Sequence, residues 1–266
     1  MTDLDLDAPS LTTRIEGQIG WVIINSPKKL NSLNEDMWQA FPQIIQKLDQ
    51  DKDVRVILIR GVGVKAFSAG ADISEFDRVR EGDAAQNYNQ LNTAAFKALQ
   101  DCRTPTIAMI HGFCLGGGFL LALSADLRLA SEDAQFSIPP AKLGLGFDVR
   151  WLSPLLQIAP PHIAKELLFT ADRFSAEQCM AKGLLNSIHS SQDLEAATKT
   201  LAKTIGSNAP LTLMNVKSAI NALAANDHHI DFETEDALAQ VCYNSKDYEE
   251  GRLAFAERRA PQFKGE

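Results

Sequence analysis

Two glycine-containing segments have the residue types needed to hold an anionic oxygen with backbone groups. The first is AFSAGADISE at residues 66–75, and the second is HGFCLGGGFLL at residues 111–121. Glycine permits unusual dihedral angles and lets a ligand approach the main chain, while a helix start offers unpaired N–H groups and a positive dipole end. The second segment lacks both the GK[ST] ending of a Walker loop and the GxGxxG pattern of a dinucleotide site. Its glycines therefore indicate neither of those nucleotide sites.

Each segment also has a purely structural interpretation. Asp72 and Glu75 fit a capping box, in which the Asp72 carboxylate accepts N–H bonds at a helix start. Residues 69–71 would then form a tight turn from a strand into a helix, and the glycines at 116–118 would allow close helix packing. Taken singly, both segments are more typical of structure than of chemistry.

The elements around these segments recur in the order strand, strand, helix. Residues 11–16 and 20–25 predict two strands turned at Gly17, and Asn34 predicts the cap of a following helix. The β-branched run VRVILIR at 54–60 predicts a buried strand, as do residues 105–110 and 127–130. Helices are predicted over 84–102 and 119–125. This recurrence has no fixed sequence period, so it favours a stacked or spiral α/β core.

Beyond residue 149 the chain becomes mostly helical. Helices are predicted at 161–170, 175–182, 194–205, 210–225, 230–244 and 247–258, with one strand at 184–188. The SNAP sequence at 207–210 marks the change to an all-helical tail. We therefore predict a core over residues 11–207 and a helical tail over 208–266. The tail cannot form a large core alone, so it must pack on the body or on another subunit.

Composition limits the class of protein. The 266 residues are 45% hydrophobic and 23% charged, which is typical of a globular protein, and the net charge of −8 argues against a nucleic-acid partner. The four cysteines show no CxxC pairing and indicate no metal site. The N-terminus lacks a signal peptide pattern, and the apolar stretch at 106–125 is interrupted by His111 and three glycines. We expect a soluble cytoplasmic protein without a membrane partner.

Taken together, the motifs resemble the crotonase superfamily, the enoyl-CoA hydratase/isomerase group. AFSAGADI is followed by HGFCLGGG, ADLRLA and AQFSIPPAKLGLG, and the resemblance runs from SPKKLNSLN at 26–34 to EEGRLAFAERRAPQF at 249–263. It implies an α/β fold of the crotonase type, a ββα spiral with a C-terminal helical trimerisation region. A homotrimer or a dimer of trimers is therefore expected. Apolar side chains on the tail must be buried somewhere, namely Ile220, Leu223, Leu238, Val241 and Leu253.

The resemblance also implies the ligand, an acyl-CoA thioester. The family stabilises the thioester enolate with two backbone N–H groups, which fall on Ala71 and Gly117 here. It implies no cofactor apart from the coenzyme A of the substrate. The positions that match coenzyme A contacts are Lys28, Lys29, Leu30, Ala69, Ala71 and Ile73. Arg258 matches a basic residue that reaches the phosphates, often those of a neighbouring subunit, while Ser74 stands where many hydratases have a phosphate-binding lysine.

The catalytic positions depart from the hydratase pattern. The two glutamates of the standard hydratases correspond to Leu120 and Pro140, which cannot exchange protons. Asp148 matches the catalytic aspartate of dienoyl-CoA isomerases and the nucleophile of dehalogenases. As a base or nucleophile it would be made more basic by an apolar pocket of Leu120, Leu145 and Phe147. Alternatively, it caps the helix that starts at VRWLSPLL.

Other polar side chains lie on elements next to the acyl pocket. Tyr88, Asn89 and Asn92 lie on the helix that covers this pocket in the family, and one of them could hydrogen-bond the substrate. Glu75 could face the same cavity, although capping is the simpler role for it. His111 ends a predicted buried strand and is interpreted as a hydrogen-bonded structural histidine.

Several reactions remain open on this sequence. The first is double-bond isomerisation or related enolate chemistry with Asp148. Decarboxylation of a malonyl-type thioester needs no protein carboxylate, and thioester hydrolysis through Asp148 is a third reaction. The competing class is an acyl-CoA binder without activity, because loss of both glutamates with an intact oxyanion frame is what such a protein would show.

Overall fold

The N-terminal hairpin begins the larger of two β-sheets. The structure is a computed structural model that describes residues 10–79, 82–224 and 232–266. Strands β1 (Leu11–Glu16) and β2 (Ile19–Ile24) are antiparallel, and Gly17 adopts φ +60° in the turn between them. Glycine adopts this left-handed conformation without steric cost. Residues 1–9, the last residue of the helix predicted at 210–225 and the first two residues of the helix predicted at 230–244 lie outside the described residues.

Eight further strands follow the hairpin. They are β3 (Val56–Gly61), β4 (Ala66–Ser68), β5 (Thr106–Ile110), β6 (Phe113–Leu115), β7 (Leu127–Ser131), β8 (Gln135–Ser137), β9 (Phe174–Ser175) and β10 (Ser187–His189). The larger, six-stranded sheet has the order β1-β2-β3-β5-β7-β10 and is parallel from β2 onward. The smaller, four-stranded sheet has the order β4-β6-β8-β9 and is parallel except for β9.

Helices connect successive strand pairs and then form the tail. They are α1 (Glu35–Gln50), α2 (Phe76–Val79), α3 (Gly82–Asp101), α4 (Gly117–Ser124), α5 (Pro140–Leu143), α6 (Ser153–Leu156), α7 (Pro161–Thr170), α8 (Ala176–Ala181), α9 (Leu194–Gly206), α10 (Pro210–Ala224), α11 (Phe232–Tyr243) and α12 (Lys246–Glu257). The pairs β3–β4, β5–β6 and β7–β8 each add one strand to each sheet before a helix. This arrangement confirms the predicted ββα spiral of the crotonase type. No helix in the described ranges is long and apolar enough to cross a membrane.

Helix α1 illustrates why these residues form these elements. The side chain of Asn34 accepts a hydrogen bond from the Met37 N–H at 3.0 Å, so the predicted cap is confirmed. Met37, Phe41 and Leu48 lie on its buried face, at the helical spacing that places them against the sheet. The apolar stripe therefore fixes how α1 packs, and α1 in turn contacts α3.

The predicted capping box at Asp72 is wrong in its second half. Asp72 does accept a hydrogen bond from the Ser74 N–H, at 3.1 Å, but its own N–H donates to the carbonyl of Leu33. Glu75 instead accepts from the N–H of Glu35 at 2.9 Å, at the start of α1. Because the Asp72 N–H already donates to the Leu33 carbonyl, it does not donate to the Glu75 side chain as a capping box requires. Glu75 consequently joins two loops that are distant in sequence, and it does not line the cavity described below.

Helix α10 is joined to the core by a largely buried lysine. The ammonium of Lys217, whose side chain is 9% exposed, donates to the Asp126 carboxylate at 2.8 Å. It also donates to the carbonyls of Leu99 and Thr104. Asp126 additionally accepts from the N–H and the hydroxyl of Thr106. This network binds the tail to α3, β5 and the α4–β7 turn.

Candidate active site

A cavity of about 300 Å³ lies where the loops after β4 and β6 meet α3 and the segment at 138–151. Its wall is mostly apolar and includes Leu120, Pro140, Leu145 and Phe147, which were all predicted for the acyl pocket. Leu120 is almost completely buried. The two positions that carry glutamates in standard hydratases therefore present hydrocarbon to the same cavity.

Two backbone N–H groups at this cavity have no acceptor in the described part of the chain. Ala71 lies between the Leu33 N–H···O=C Gly70 bond at 2.8 Å and the Asp72 N–H···O=C Leu33 bond at 2.9 Å, and neither bond uses its own N–H. Gly117 is the first residue of α4, where N–H groups have no intrahelical partner. The structure thus brings both predicted oxyanion donors to one cavity.

Glycine is required where these two loops touch. Gly70 has φ +94°, and a Cβ there would lie 2.8 Å from the Leu115 carbonyl oxygen and 3.5 Å from the Gly117 nitrogen. Gly116 has φ 52° and ψ −124°, a region open to glycine. The Ser68 hydroxyl accepts from the Gly70 N–H at 3.1 Å and holds the first loop. Both donors are therefore positioned by backbone geometry.

Close packing also fixes helix α4. A Cβ on Gly118 would lie 2.6 Å from the Ser68 Cβ and 2.9 Å from the Ser68 carbonyl oxygen. The helix is buried from Gly118 to Ser124, so it has no room to shift. Its N-terminus carries the positive end of the helix dipole, next to the unpaired N–H of Gly117. Such a fixed donor suits a negative charge that develops on an oxygen.

Helix α3 forms one wall of the cavity through Asn92 and Phe96, which are one helical turn apart. Tyr88, one turn earlier, is fully buried and accepts a hydrogen bond from Trp38 Nε1 at 3.0 Å. The prediction that Tyr88 lines the substrate pocket is wrong, because the α1–α3 interface takes up its hydroxyl. Asn89 lies on the same helix but does not line the cavity either.

Asp148 lies beside the cavity without lining it, although its neighbour Phe147 does line it. Its carboxylate accepts from the Arg150 N–H at 3.0 Å and from Arg150 Nε at 2.8 Å. The capping interpretation is therefore confirmed. These bonds from the Arg150 side chain lower the pKa of Asp148, so the expectation that an apolar pocket makes it more basic is wrong.

Of the predicted coenzyme A contacts, Ala69, Ala71 and Ile73 line the cavity, whereas Lys28 and Lys29 do not. Ile73 is 68% exposed and lines the cavity. Lys29 donates to the Asp72 carboxylate at 2.6 Å and to the Ser74 hydroxyl at 3.0 Å. Burial alone would raise the pKa of Asp72, but the bonds from Lys29 and Ser74 outweigh it and lower that pKa. Lys29 is thus engaged within the chain, while Lys28 is exposed.

Two other predicted contacts differ in their location. Leu30 has a left-handed φ of 51°, and its carbonyl accepts from the Ala69 N–H at 2.9 Å, which joins this loop to the cavity. Arg258 ends α12, also with a left-handed φ, and is exposed. It does not line this cavity in the same chain. A phosphate contact from Arg258 would therefore have to come from a neighbouring subunit and stays a prediction.

Aromatic side chains that the sequence reasoning did not single out complete the wall. Phe96 follows Asn92 by one helical turn, and Trp151 follows Phe147 by four residues. The rings of Phe147 and Trp151 meet edge to face at 5.5 Å, and Trp151 Nε1 donates to the Thr93 hydroxyl at 3.1 Å. Helical spacing from Asn92 was the signal that could have identified Phe96, whereas Trp151 lies beyond the Asp148 cap and had no such signal.

His111 takes no part in this cavity. It is 4% exposed, and its Nε2 lies 3.4 Å from the carbonyl oxygen of Ser191. Burial lowers the pKa of His111. The structural interpretation of this histidine is therefore supported. No group of three or more His, Cys, Asp or Glu side chains in the described ranges is arranged to hold a metal ion.

Comparisons with known proteins agree with this fold. The family model described as enoyl-CoA hydratase/isomerase matches residues 14–266. The chain is 33% identical to a short-chain-enoyl-CoA hydratase of Clostridium acetobutylicum over 92% of this chain and 93% of that protein. It is 36% identical to a peroxisomal Delta(3,5)-Delta(2,4)-dienoyl-CoA isomerase of Arabidopsis thaliana, over 75% and 76% of the two chains.

A solved structure gives the same result in three dimensions. The crystal structure of an enoyl-CoA hydratase/carnithine racemase from Magnetospirillum magneticum superposes with a TM-score of 0.93. Sequence identity is 31%, and the match covers 98% of this chain and 97% of the other. On sequence and fold alike, the chain belongs to the enoyl-CoA hydratase/isomerase family of the crotonase superfamily and has the fold of enzymes that process acyl-CoA thioesters.

Proposed function

We propose that this protein stabilises the enolate of an acyl-CoA thioester with the N–H groups of Ala71 and Gly117, and carries out isomerase-like or related chemistry on it. One observation carries the proposal: both N–H groups are unpaired in the described chain and belong to residues that line one largely apolar cavity. Preorganised donors are most effective where water is excluded. The thioester oxygen would accept from both donors as it gains negative charge.

The Gly117 N–H can be removed with little change in backbone shape. Proline is well tolerated at the first residue of a helix, where Gly117 lies, and it lacks the donor. Gly117→Ala is the matched control, because it keeps the N–H while adding a Cβ 3.1 Å from Trp38 Cζ2. We expect Gly117→Pro to lower kcat by about 10²–10³ relative to Gly117→Ala. Equal activity of the two variants would contradict the proposal.

Two routes to the enolate differ in their need for Asp148. In isomerisation the carboxylate would carry a proton between carbons of the acyl chain, which requires Arg150 to release it. In decarboxylation of a malonyl-type thioester the C–C bond to the carboxylate breaks and carbon dioxide leaves. The electron pair of that C–C bond forms the enolate, which then takes a proton from water. The Asp148–Arg150 pair favours the second route. In addition, the cavity wall, as far as it is described, includes no aspartate, glutamate or histidine.

Mass spectrometry in deuterated water distinguishes these reactions. Enolate formation on a non-reacting acyl-CoA exchanges the α-hydrogens for deuterium, and hydration adds one water. Decarboxylation removes carbon dioxide and adds deuterium, whereas hydrolysis releases free coenzyme A. We expect loss of carbon dioxide with deuterium uptake from a malonyl-type thioester, and no fast hydration of crotonyl-CoA. Fast crotonyl-CoA hydration would contradict the interpretation of Leu120 and Pro140.

A further inference from the structure

One polar side chain in the cavity wall has an amide nitrogen without a hydrogen-bond partner within the described protein. Asn92 lines the cavity and is 3% exposed, and its amide Nδ2 makes no hydrogen bond to any described residue. Unpaired buried polar atoms also occur on five other described residues, such as Ser32 and Ser131, but none of these lines the cavity. Buried amide donors are ordinarily paired, so this one calls for a ligand or a cost in stability.

The rest of the described wall provides no alternative partner for this amide. Its other polar side chains are Lys142, whose ammonium pairs with Asp172 at 2.9 Å, and Trp151, whose Nε1 is bonded to Thr93. The remaining lining side chains are hydrocarbon. Apart from the two backbone N–H groups, the Asn92 side chain is thus the polar group of the described wall that is free to select a substrate by hydrogen bonding.

We propose that Asn92 determines specificity for acyl groups that carry an oxygen acceptor, such as a carboxylate, keto or hydroxyl oxygen. The inference rests on the acyl-CoA function proposed above and names the substrate class of that site. The amide and the two backbone donors line the same cavity, so the selected oxygen belongs to the acyl group. A plain hydrocarbon chain would leave the amide unpaired, and the site would discriminate against it.

Binding to matched pairs of thioesters tests the inference. Each pair has equal chain length: butyryl-CoA against 3-hydroxybutyryl-CoA, which adds a neutral oxygen, and butyryl-CoA against succinyl-CoA, which adds a charged carboxylate, with the hexanoyl and octanoyl equivalents. Affinity is measured calorimetrically in the Gly117→Pro background, where turnover is suppressed. We expect the oxygenated member of at least one pair to bind about 10- to 100-fold more tightly, and Asn92→Leu to abolish that preference.

Two further variants are controls, one for misfolding and one for a general change in affinity. Asn92→Ala also removes the donor and replaces Asn92→Leu if that variant does not fold. Phe96→Leu changes an apolar residue of the same helix face, so it should alter affinity for both members of a pair while keeping their ratio.

Different results would overturn the two proposals. If no pair shows a preference, or if both Asn92 variants retain it, the inference on Asn92 is wrong. If the preference exists but wild-type protein neither exchanges α-hydrogens nor turns over any thioester, the enolate function fails while the inference stands.

Discussion

The Asp148–Arg150 pair determines whether a carboxylate is available at the edge of the cavity. Asp148 is held by the backbone and the guanidinium of the same arginine, which lowers its pKa and keeps it charged. A general base acts best when its pKa lies near the working pH, so this pairing opposes a catalytic role. It suits a helix cap.

We expect Asp148→Asn to keep both fold and turnover. Asparagine is an equally good cap, because its side-chain oxygen can still accept from the Arg150 N–H. Turnover of accepted thioesters should change by less than about threefold, and thermal unfolding should be nearly unchanged. Asp148→Leu is the control that removes the cap and should destabilise the 149–152 turn. A fall in turnover of about 100-fold at unchanged stability would place Asp148 in the chemistry instead.

The family resemblance named Ala71 and Gly117, and the structure places both residues at one cavity, in loops where Gly70 and Gly116 adopt positive φ. The resemblance also indicated which helix covers the pocket, but not which partner Tyr88 meets on it. Trp38, distant in sequence, takes that hydroxyl. Asn92 was predicted for the pocket, but the lack of a partner for its amide is visible only in three dimensions.

At the scale of elements, the tail helix α10 depends on Lys217. Its ammonium donates hydrogen bonds to one carboxylate and two carbonyls at a largely buried interface. We expect Lys217→Met to destabilise the protein by about 2 kcal/mol, because Asp126 would lose a charged partner. The measurement is urea unfolding at a fixed protein concentration, which matters if subunits associate.

Another lysine of the tail provides the matched control. Lys246 pairs with Glu266 at 2.8 Å, but both side chains are largely exposed. Exposed ion pairs contribute little, so Lys246→Met should leave the unfolding midpoint unchanged. A Lys217→Met variant as stable as Lys246→Met would show that packing, not this network, holds α10 on the core.

Long elements could be predicted from sequence, whereas short ones could not. The helix at 161–170 and the strand at 11–16 match the structure to the residue, because both combine a clear apolar pattern with clear end signals. Strands β4, β6 and β8 have three residues each, too few to show an alternation. The smaller sheet that carries both donor loops therefore became visible only in the structure.

At the scale of the whole molecule, the tail presents apolar side chains to solvent. Those more than two-fifths exposed in the single chain include Ile220, Leu223, Val241, Leu253 and Phe255. Exposed apolar surface of this extent marks interaction sites. We expect a trimer, or a pair of trimers, whose mass in light scattering is a multiple of three times the 29.1 kDa of one chain.

Substitutions on α10 test which surface is responsible. Leu223→Asp and Ile220→Asp should shift the mass toward one chain, because a charge placed in an apolar interface is not solvated. Val64→Asp, at a similarly exposed position on the core, should leave the mass unchanged. A monomer for the unaltered protein would contradict the expected assembly, and with it the trimerisation role predicted for residues 208–266.

The two donors at Ala71 and Gly117 have a consequence for how such a protein changes over generations. Because both belong to the peptide backbone, point mutations of surrounding side chains leave them in place. Side chains at positions such as Leu120, Pro140 and Asn92 can then drift separately and exchange one reaction for another. On the proposed function, a lineage could therefore change its reaction through cavity side chains alone, while the two N–H groups stay in place with the fold.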